Sequence, residues 1–361
     1  MVRKGKWART WIVTGAYAVI ATVASVLITS SLQPRISYGE PVAGDTSCGG
    51  YGIATSAAWW EKTDDELRES FELARSTGVC AVRLGAIWSE IEKSPGTYDW
   101  HQLDRQVRLA KETGVDPMLM LYSAPQWVFD SGSSEGTPFE DRASLFGTFA
   151  AEVARRYGAD VDAYEIWNEP NVERFWENPN VDEYLALLRA AYPKIHSVDE
   201  SATVITGGLA PAADEEGSIA PVTFIRRLYE GGGNQWFDAL GMHPYTWRED
   251  AEARLQFRDL NEVESLMAQF GDEESKIWIT EYGAPTGGLG GITQSEQSEV
   301  IRWGIDEAAA NPRIAAIYLY DLHDYPLGLF NPESYFGLYT SSGQPKVVSS
   351  LLREERPLSE R

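Results

Sequence analysis

From residue 48 onward two hydrophobic periods alternate along the chain. Short, nearly continuous apolar runs recur: GYGIAT (50–55), CAVRLGAIW (80–88), PMLMLYSAP (117–125), VDAYEIWNEP (161–170), TVITGGLAP (203–211), DALGMHPY (238–245), KIWITEYGAP (276–285) and IAAIYLYDLHD (314–324). Runs of this length without polar alternation predict strands buried on both faces, as in a parallel sheet. Between them the period shifts to that of a helix. Residues 63–78 open on the capping box Thr63/Glu66, carry Leu67, Phe71 and Ala74 on one face and stop at Gly78. Leu103, Val107 and Ala110 do the same within 100–114, and helices are further predicted over 143–158, 182–195, 222–232, 260–271, from Thr293/Glu296 onward, and near 346–354. Eight strands alternating with eight helices predict a (β/α)8 TIM barrel. A doubly wound open sheet is the alternative, but no G-x-G-x-x-G turn follows the first strand.

The N-terminal end has a different pattern. Arg3, Lys4, Lys6 and Arg9 precede an uncharged run from Trp11 to Thr29. At about 1.5 Å per residue such a run just crosses a hydrocarbon core of about 30 Å. The expected layout is therefore a basic cytoplasmic tail (1–10), a transmembrane signal-anchor (11–29), a Ser/Pro/Gly-rich linker (30–47), the barrel (48–355) and a polar tail (356–361). The positive charges place the barrel outside the cytoplasm, anchored to the membrane, or secreted if the run is a cleaved signal peptide. The A-x-A triplet Ala16-Tyr17-Ala18 lies mid-run, which favours the anchor. Two cysteines, Cys48 before the first strand and Cys80 in the second, are expected to pair, because neighbouring strand starts come within disulfide reach.

Composition narrows the function. A net charge of −23 argues against nucleic-acid binding. Thirteen Trp and 17 Tyr offer flat faces suited to sugar rings, although aromatic residues also fill large cores. Barrel enzymes gather their chemistry where the strands end. Here those ends carry Arg83 and Trp88, then Tyr122 and Trp127, Trp167, Asn168 and Glu169, His243 and Tyr245, Glu281 and Tyr282, and finally Tyr320, Asp321 and His323. Trp176 and Trp247 lie in loops after the fourth and sixth strands, where they either line the mouth or anchor the loops. Glu169 and Glu281 face each other across the barrel mouth, each after an apolar run where an unpaired charge is costly. Two facing carboxylates are the apparatus of glycosidic cleavage, one as acid/base and the other as nucleophile or second base. Arg83 and Tyr245, placed near Glu281, would keep it ionised, while Trp167 and Pro170 give Glu169 the less polar setting of a proton donor. No H-E-x-x-H or G-x-S-x-G occurs, so neither a metal nor a serine nucleophile is expected, and no cofactor is needed. The Gly-rich GAPTGGLGG reads as a rim loop, since it lacks the lysine of a phosphate-binding loop.

Over residues 50–355 the chain resembles the (β/α)8 clan A of retaining glycoside hydrolases, on Asn168-Glu169 in IWNEPN and Glu281 in WITEYGAP. Within the clan it looks most like family 39 and endoglycosidases associated with exopolysaccharide systems, with family 5 cellulases close behind. The resemblance implies that Glu169 is the acid/base, Glu281 the nucleophile, and that Asn168 binds the substrate 2-hydroxyl. It also implies that Arg83 and the His243-Pro244-Tyr245 segment support the nucleophile and bind sugar. Clan members commonly carry a sugar-stacking Trp at the end of the eighth strand, where YLYDLHD offers Tyr320 or His323. The expected activity is endo-cleavage of a β-linked extracellular or cell-surface polysaccharide. Alternatives are a transglycosylase using the same residues, a family 5-like cellulase, xylanase or mannanase, or a non-catalytic sugar-binding barrel.

Overall fold

The computed structural model describes residues 50–130, 139–325 and 327–354. Its eight strands are β1 (Tyr51–Ala54), β2 (Val79–Ile87), β3 (Asp116–Tyr122), β4 (Ala163–Ile166), β5 (Thr203–Thr206), β6 (Ala239–Met242), β7 (Lys276–Tyr282) and β8 (Ile314–Tyr320). They pair in sequence order and close into one parallel barrel, β8 returning to β1 through Gly52↔Tyr318 and Ala54↔Tyr320. A Cβ on Gly52 would stand 2.4 Å from the Tyr318 ring, so the missing side chain is what lets the two strands meet.

Nine helices occur among the described residues: α1 (Asp64–Ser76), α2 (Trp88–Ile91), α3 (His101–Glu112), α4 (Phe139–Tyr157), α5 (Val181–His196), α6 (Pro221–Glu230), α7 (Leu260–Gln269), α8 (Gln294–Ala310) and α9 (Val347–Glu354). Seven cross between consecutive strands and α9 follows β8, which makes the eight expected; α2 is a single extra turn between β2 and α3. Both predicted capping boxes form, Thr63 with Glu66 and Thr293 with Glu296, so α1 and α8 start where their sequence signals place them. Leu67, Phe71 and Ala74 of α1, and Leu103, Val107 and Ala110 of α3, are buried against the strands.

No helix among the described residues is long and apolar enough to cross a membrane, and the predicted anchor at 11–29 lies outside them. So do the linker, the polar tail and Cys48, one end of the expected disulfide; Cys80 is buried in β2. One buried cation holds the rim together. Lys346, 1 % exposed, donates to Thr286 Oγ1 (2.8 Å) after β7, and to Asp324 Oδ1 (2.7 Å) and the Tyr335 carbonyl (2.9 Å) after β8.

Candidate active site

β4 ends at Ile166, earlier than its apolar pattern suggests, and IWNEPN leaves the strand as a tight turn. Trp167 (φ 74°) and Glu169 (φ 44°) both lie in the left-handed region, which costs on the order of 1–3 kcal/mol per residue and persists only where the surroundings enforce it. Two backbone bonds do so: Trp167 N–H donates to the Leu121 carbonyl (2.8 Å), and Glu169 N–H to the Gly208 carbonyl (3.0 Å). The Trp167 indole donates to the Phe175 carbonyl (2.9 Å) and packs on Phe146 and Trp176. Trp167 is thus a structural wedge that turns Glu169 inward.

Glu281 hangs from β7 with its carboxylate 14 % exposed. Arg83 Nη1 donates to its Oε1 (2.6 Å) and Tyr245 Oη to its Oε2 (2.9 Å). Burial alone would raise this carboxyl, but His243, Arg83 and the Tyr245 hydroxyl hold it below the usual carboxylate range. The placement of Arg83 and Tyr245 beside Glu281 agrees with the sequence expectation. Arg83 is buried and reaches further: Nη2 donates to Asn168 Oδ1 (2.7 Å), and Nε pairs with Glu165. With Oδ1 occupied, the Asn168 amide presents its N–H donors as the groups available to a ligand.

Glu165 escaped the sequence reading. It is fully buried inside β4 and accepts from Arg83 Nε, from Gly208 N–H (2.9 Å) and from Thr280 Oγ1 (2.8 Å). The available signal was a charged residue inside the otherwise apolar strand AYEI. Thr280 was missed as well; its hydroxyl joins Glu165 to His243 Nε2 (3.0 Å). His243 was expected beside the nucleophile or the sugar. Its Nδ1 instead lies 2.9 Å from Glu169 Oε1 and only 3.7 Å from Glu281 Oε2. Burial pushes the His243 imidazole down, but Glu281 and Glu169 together raise it above its ordinary value.

One carboxylate oxygen of Glu169 lies within 4.8 Å of one of Glu281, with a His243 nitrogen inside the same distance of both. Such a trio has the spacing of a cation site. The Glu281 oxygens already receive hydrogen bonds from Arg83 and Tyr245, and Glu169 Oε1 is hydrogen-bonded to His243, so the chain itself supplies the compensating groups.

Around the carboxylates opens a cleft of about 740 Å3. Its walls come from loops after five strands: Ser56–Ala58, Arg174 and Phe175, Pro211–Ala213, Trp247 and Arg248, and Tyr325, Leu327, Glu333 and Phe336. Tyr122, Asn168, Tyr245, Trp247 and Tyr320 border it as expected. Tyr320, T-shaped against Phe336, therefore takes the place at the end of β8, not His323. His323 sits behind the rim beside Tyr339, where burial and Lys62 push its imidazole down to about 4.

Three predicted aromatic residues do not border the cleft. Trp88 is 1 % exposed and stacks on Phe149 in the layer between strand and helix. Trp127 ties its loop to the Glu92 carbonyl (2.7 Å), and Trp176 packs on Trp167 and Tyr184. Each sits on a one-turn helix or tight loop whose apolar face turns toward the outer helices instead of the mouth.

Comparison with known proteins places this site in a lineage. The sequence pattern of "Cellulase (glycosyl hydrolase family 5)" matches residues 37–326. A beta-xylosidase of Geobacillus stearothermophilus is 25 % identical over 160 residues, 40 % of this chain and 32 % of that protein. "Beta-glucosidase-like SFR2, chloroplastic" of Oryza sativa subsp. japonica is 29 % identical over 125 residues, 32 % of this chain and 18 % of that protein. The chain thus spans a third or less of the length of these relatives. Among solved structures, a family 39 glycoside hydrolase from Bacteroides cellulosilyticus WH2 superposes with a TM-score of 0.64 at 19 % identity, covering 88 % of this chain and 65 % of that one. A GH5_18 structure from Bifidobacterium longum subsp. infantis gives 0.65 at 17 %, covering 84 % and 77 %. At these identities the superpositions speak to the shared barrel alone. With four-fifths of its length matched, the chain belongs to the cellulase family, glycosyl hydrolase family 5, of the (β/α)8 clan A.

Proposed function

We propose that this hydrolase is retaining and endo-acting, and that it cuts a β-linked extracellular or cell-surface polysaccharide while tethered by the apolar run at 11–29. Glu281 is the nucleophile and Glu169 the acid/base. The observation that carries retention is the approach of the two carboxylates to within 4.8 Å. Nearest oxygens this close suit a retaining pair, whose carboxyl groups stand about 5–5.5 Å apart, better than an inverting pair at roughly 6.5–9.5 Å.

In the first step a Glu281 oxygen attacks the anomeric carbon as the bond to the leaving sugar breaks, and Glu169 gives its proton to the departing glycosidic oxygen. Arg83 and Tyr245 keep Glu281 ionised for this attack. In the second step Glu169, now a carboxylate, takes a proton from water, which attacks the same carbon and frees Glu281. The free Asn168 N–H groups face the region of the sugar 2-hydroxyl, where hydrogen bonds strengthen toward the transition state. Endo-action is supported by a cleft of about 740 Å3 whose walls are drawn from the loops after five strands. NMR of the first-formed sugar tests the mechanism: the product anomer should match the substrate, and the opposite anomer would overturn the assignment of Glu281. Reducing-end release from a panel of β-glycans and from the host's own surface polymer tests the substrate class; products longer than the substrate would mark a transglycosylase.

A further inference from the structure

Behind Glu169 runs a chain of hydrogen bonds whose direction is fixed by chemistry. Glu165 pairs with Arg83 and accepts a backbone N–H from Gly208, so its carboxylate has no proton to give. The 2.8 Å contact between Thr280 Oγ1 and Glu165 Oε1 must therefore hold the hydroxyl proton of Thr280. That hydroxyl has only one proton, so at 3.0 Å from His243 Nε2 it can only accept. His243 must then carry a proton on Nε2. Its Nδ1, 2.9 Å from Glu169 Oε1, shares one proton with that carboxyl: either Glu169 donates to a neutral ring, or a charged ring donates to Glu169.

Resting on the assignment of Glu169 as acid/base, we propose that Glu165 and Thr280 are positioning residues that lock the His243 tautomer and so reserve a single proton between His243 Nδ1 and Glu169. Thr280 reaches the acid/base through His243; Glu165 also holds Arg83, so the test is placed on Thr280. Without the Thr280 acceptor the ring is free to move its proton to Nδ1, where it would donate permanently to Glu169 and favour the carboxylate over the acid. The close packing fits this role, since a Cβ on Gly208 would stand 2.2 Å from His243 Nε2 and 2.5 Å from Thr280 Oγ1. The glycine clears the space in which the two atoms meet. The other groups facing the shared proton are Arg83 from β2, Glu281 from β7, Tyr245 after β6 and Glu333 from the loop after β8.

The test pairs Thr280→Val, which keeps the shape and removes the hydroxyl, with Thr280→Ser, which keeps the hydroxyl. On an aryl glycoside with a poor leaving group, Thr280→Val should lose about tenfold or more in kcat/KM, with its alkaline limb shifted to lower pH. On an activated aryl glycoside the loss should be less than about twofold, because little proton donation is then needed. Thr280→Ser should restore both rate and limb. Independently of turnover, 15N NMR of the wild-type ring, assigned by its loss in His243→Asn, should show the proton on Nε2. Equal losses on both leaving groups with an unmoved alkaline limb would overturn the proposal, as would a ring protonated on Nδ1 alone. If no glycoside is cleaved by the wild type, the acid/base reading fails, and the NMR measurement still decides the tautomer.

Discussion

The two halves of the site hold their carboxylates in different ways. Glu281 is gripped by a permanent cation, Arg83, and by a phenol that donates one hydrogen bond. Glu169 meets neither; its partner is His243, the one side chain type whose proton count changes near neutral pH. A cation that never titrates fits a group that must stay ionised, whereas a titrating imidazole fits a group that must give and retake a proton within one cycle. The division of labour lies in the partners, since the two carboxylates share 14 % exposure.

The most direct way to break this comparison is Glu281→Gln, which should lower kcat by more than about 10^4-fold on every substrate, because no leaving group compensates for a missing nucleophile. Azide rescue of Glu281→Ala that yields a glycosyl azide of inverted configuration would identify the lost group as nucleophile. Glu169→Gln should lose about 10^2–10^4-fold on poor leaving groups and little on activated ones; equal losses on both would remove the distinction between the halves. Arg83→Met acts on stability as well, since it strands Glu165 in the barrel, and about 3–5 kcal/mol should be lost in denaturant unfolding. Tyr245→Phe removes one neutral donor from Glu281 and should cost about tenfold in kcat, with the acid limb of the rate profile moving up.

The pH profile sharpens the same contrast. Glu281 is held below the ordinary carboxyl value of 4.5, so activity should persist below that pH and fail as Glu281 protonates at its lowered value. His243 is raised above 6.5, so the shared proton should survive past that pH and be lost as pH rises through the raised value. Stability follows the same signs: the Glu281 contribution is present above the ordinary carboxyl pKa and is lost on acidification through the lowered one. The His243 contribution is present below 6.5 and is lost on alkalinisation through the raised one. Coincident limbs in thermal melts and in kcat/KM check both.

Much of this was legible because burial leaves a periodic trace. Strand runs and capping boxes placed β1 to β8 and most helices, and the strand-end rule isolated Glu169, Glu281, Arg83, Tyr245 and Asn168. What escaped was decided by direction across a strand or loop. Trp88, Trp127 and Trp176 follow strands as cleft residues do, but which way an aromatic ring turns depends on the groups facing it, and Phe149, Glu92 and Phe139 are remote in sequence. Glu165 and Thr280 sit inside strands, where a single polar residue reads as noise until its partners across the barrel are known. His243 was found, but its allegiance was not, because one ring can serve either carboxylate and only the 2.9 Å and 3.7 Å distances separate them.

The buried Lys346 carries a consequence for how the enzyme comes into being. Its ammonium reaches the loop after β7 and the loop after β8 together, and the second of these forms a cleft wall through Tyr325, Leu327, Glu333 and Phe336. A growing chain that has not yet reached residue 346 can contain both carboxylates and every strand and still lack the fastener for that wall. Translation therefore delivers both carboxylates before it delivers the fastener of that wall. Lys346→Met, which removes the ammonium and keeps the helix that follows, should separate the two, costing less on small aryl glycosides than on longer oligosaccharides.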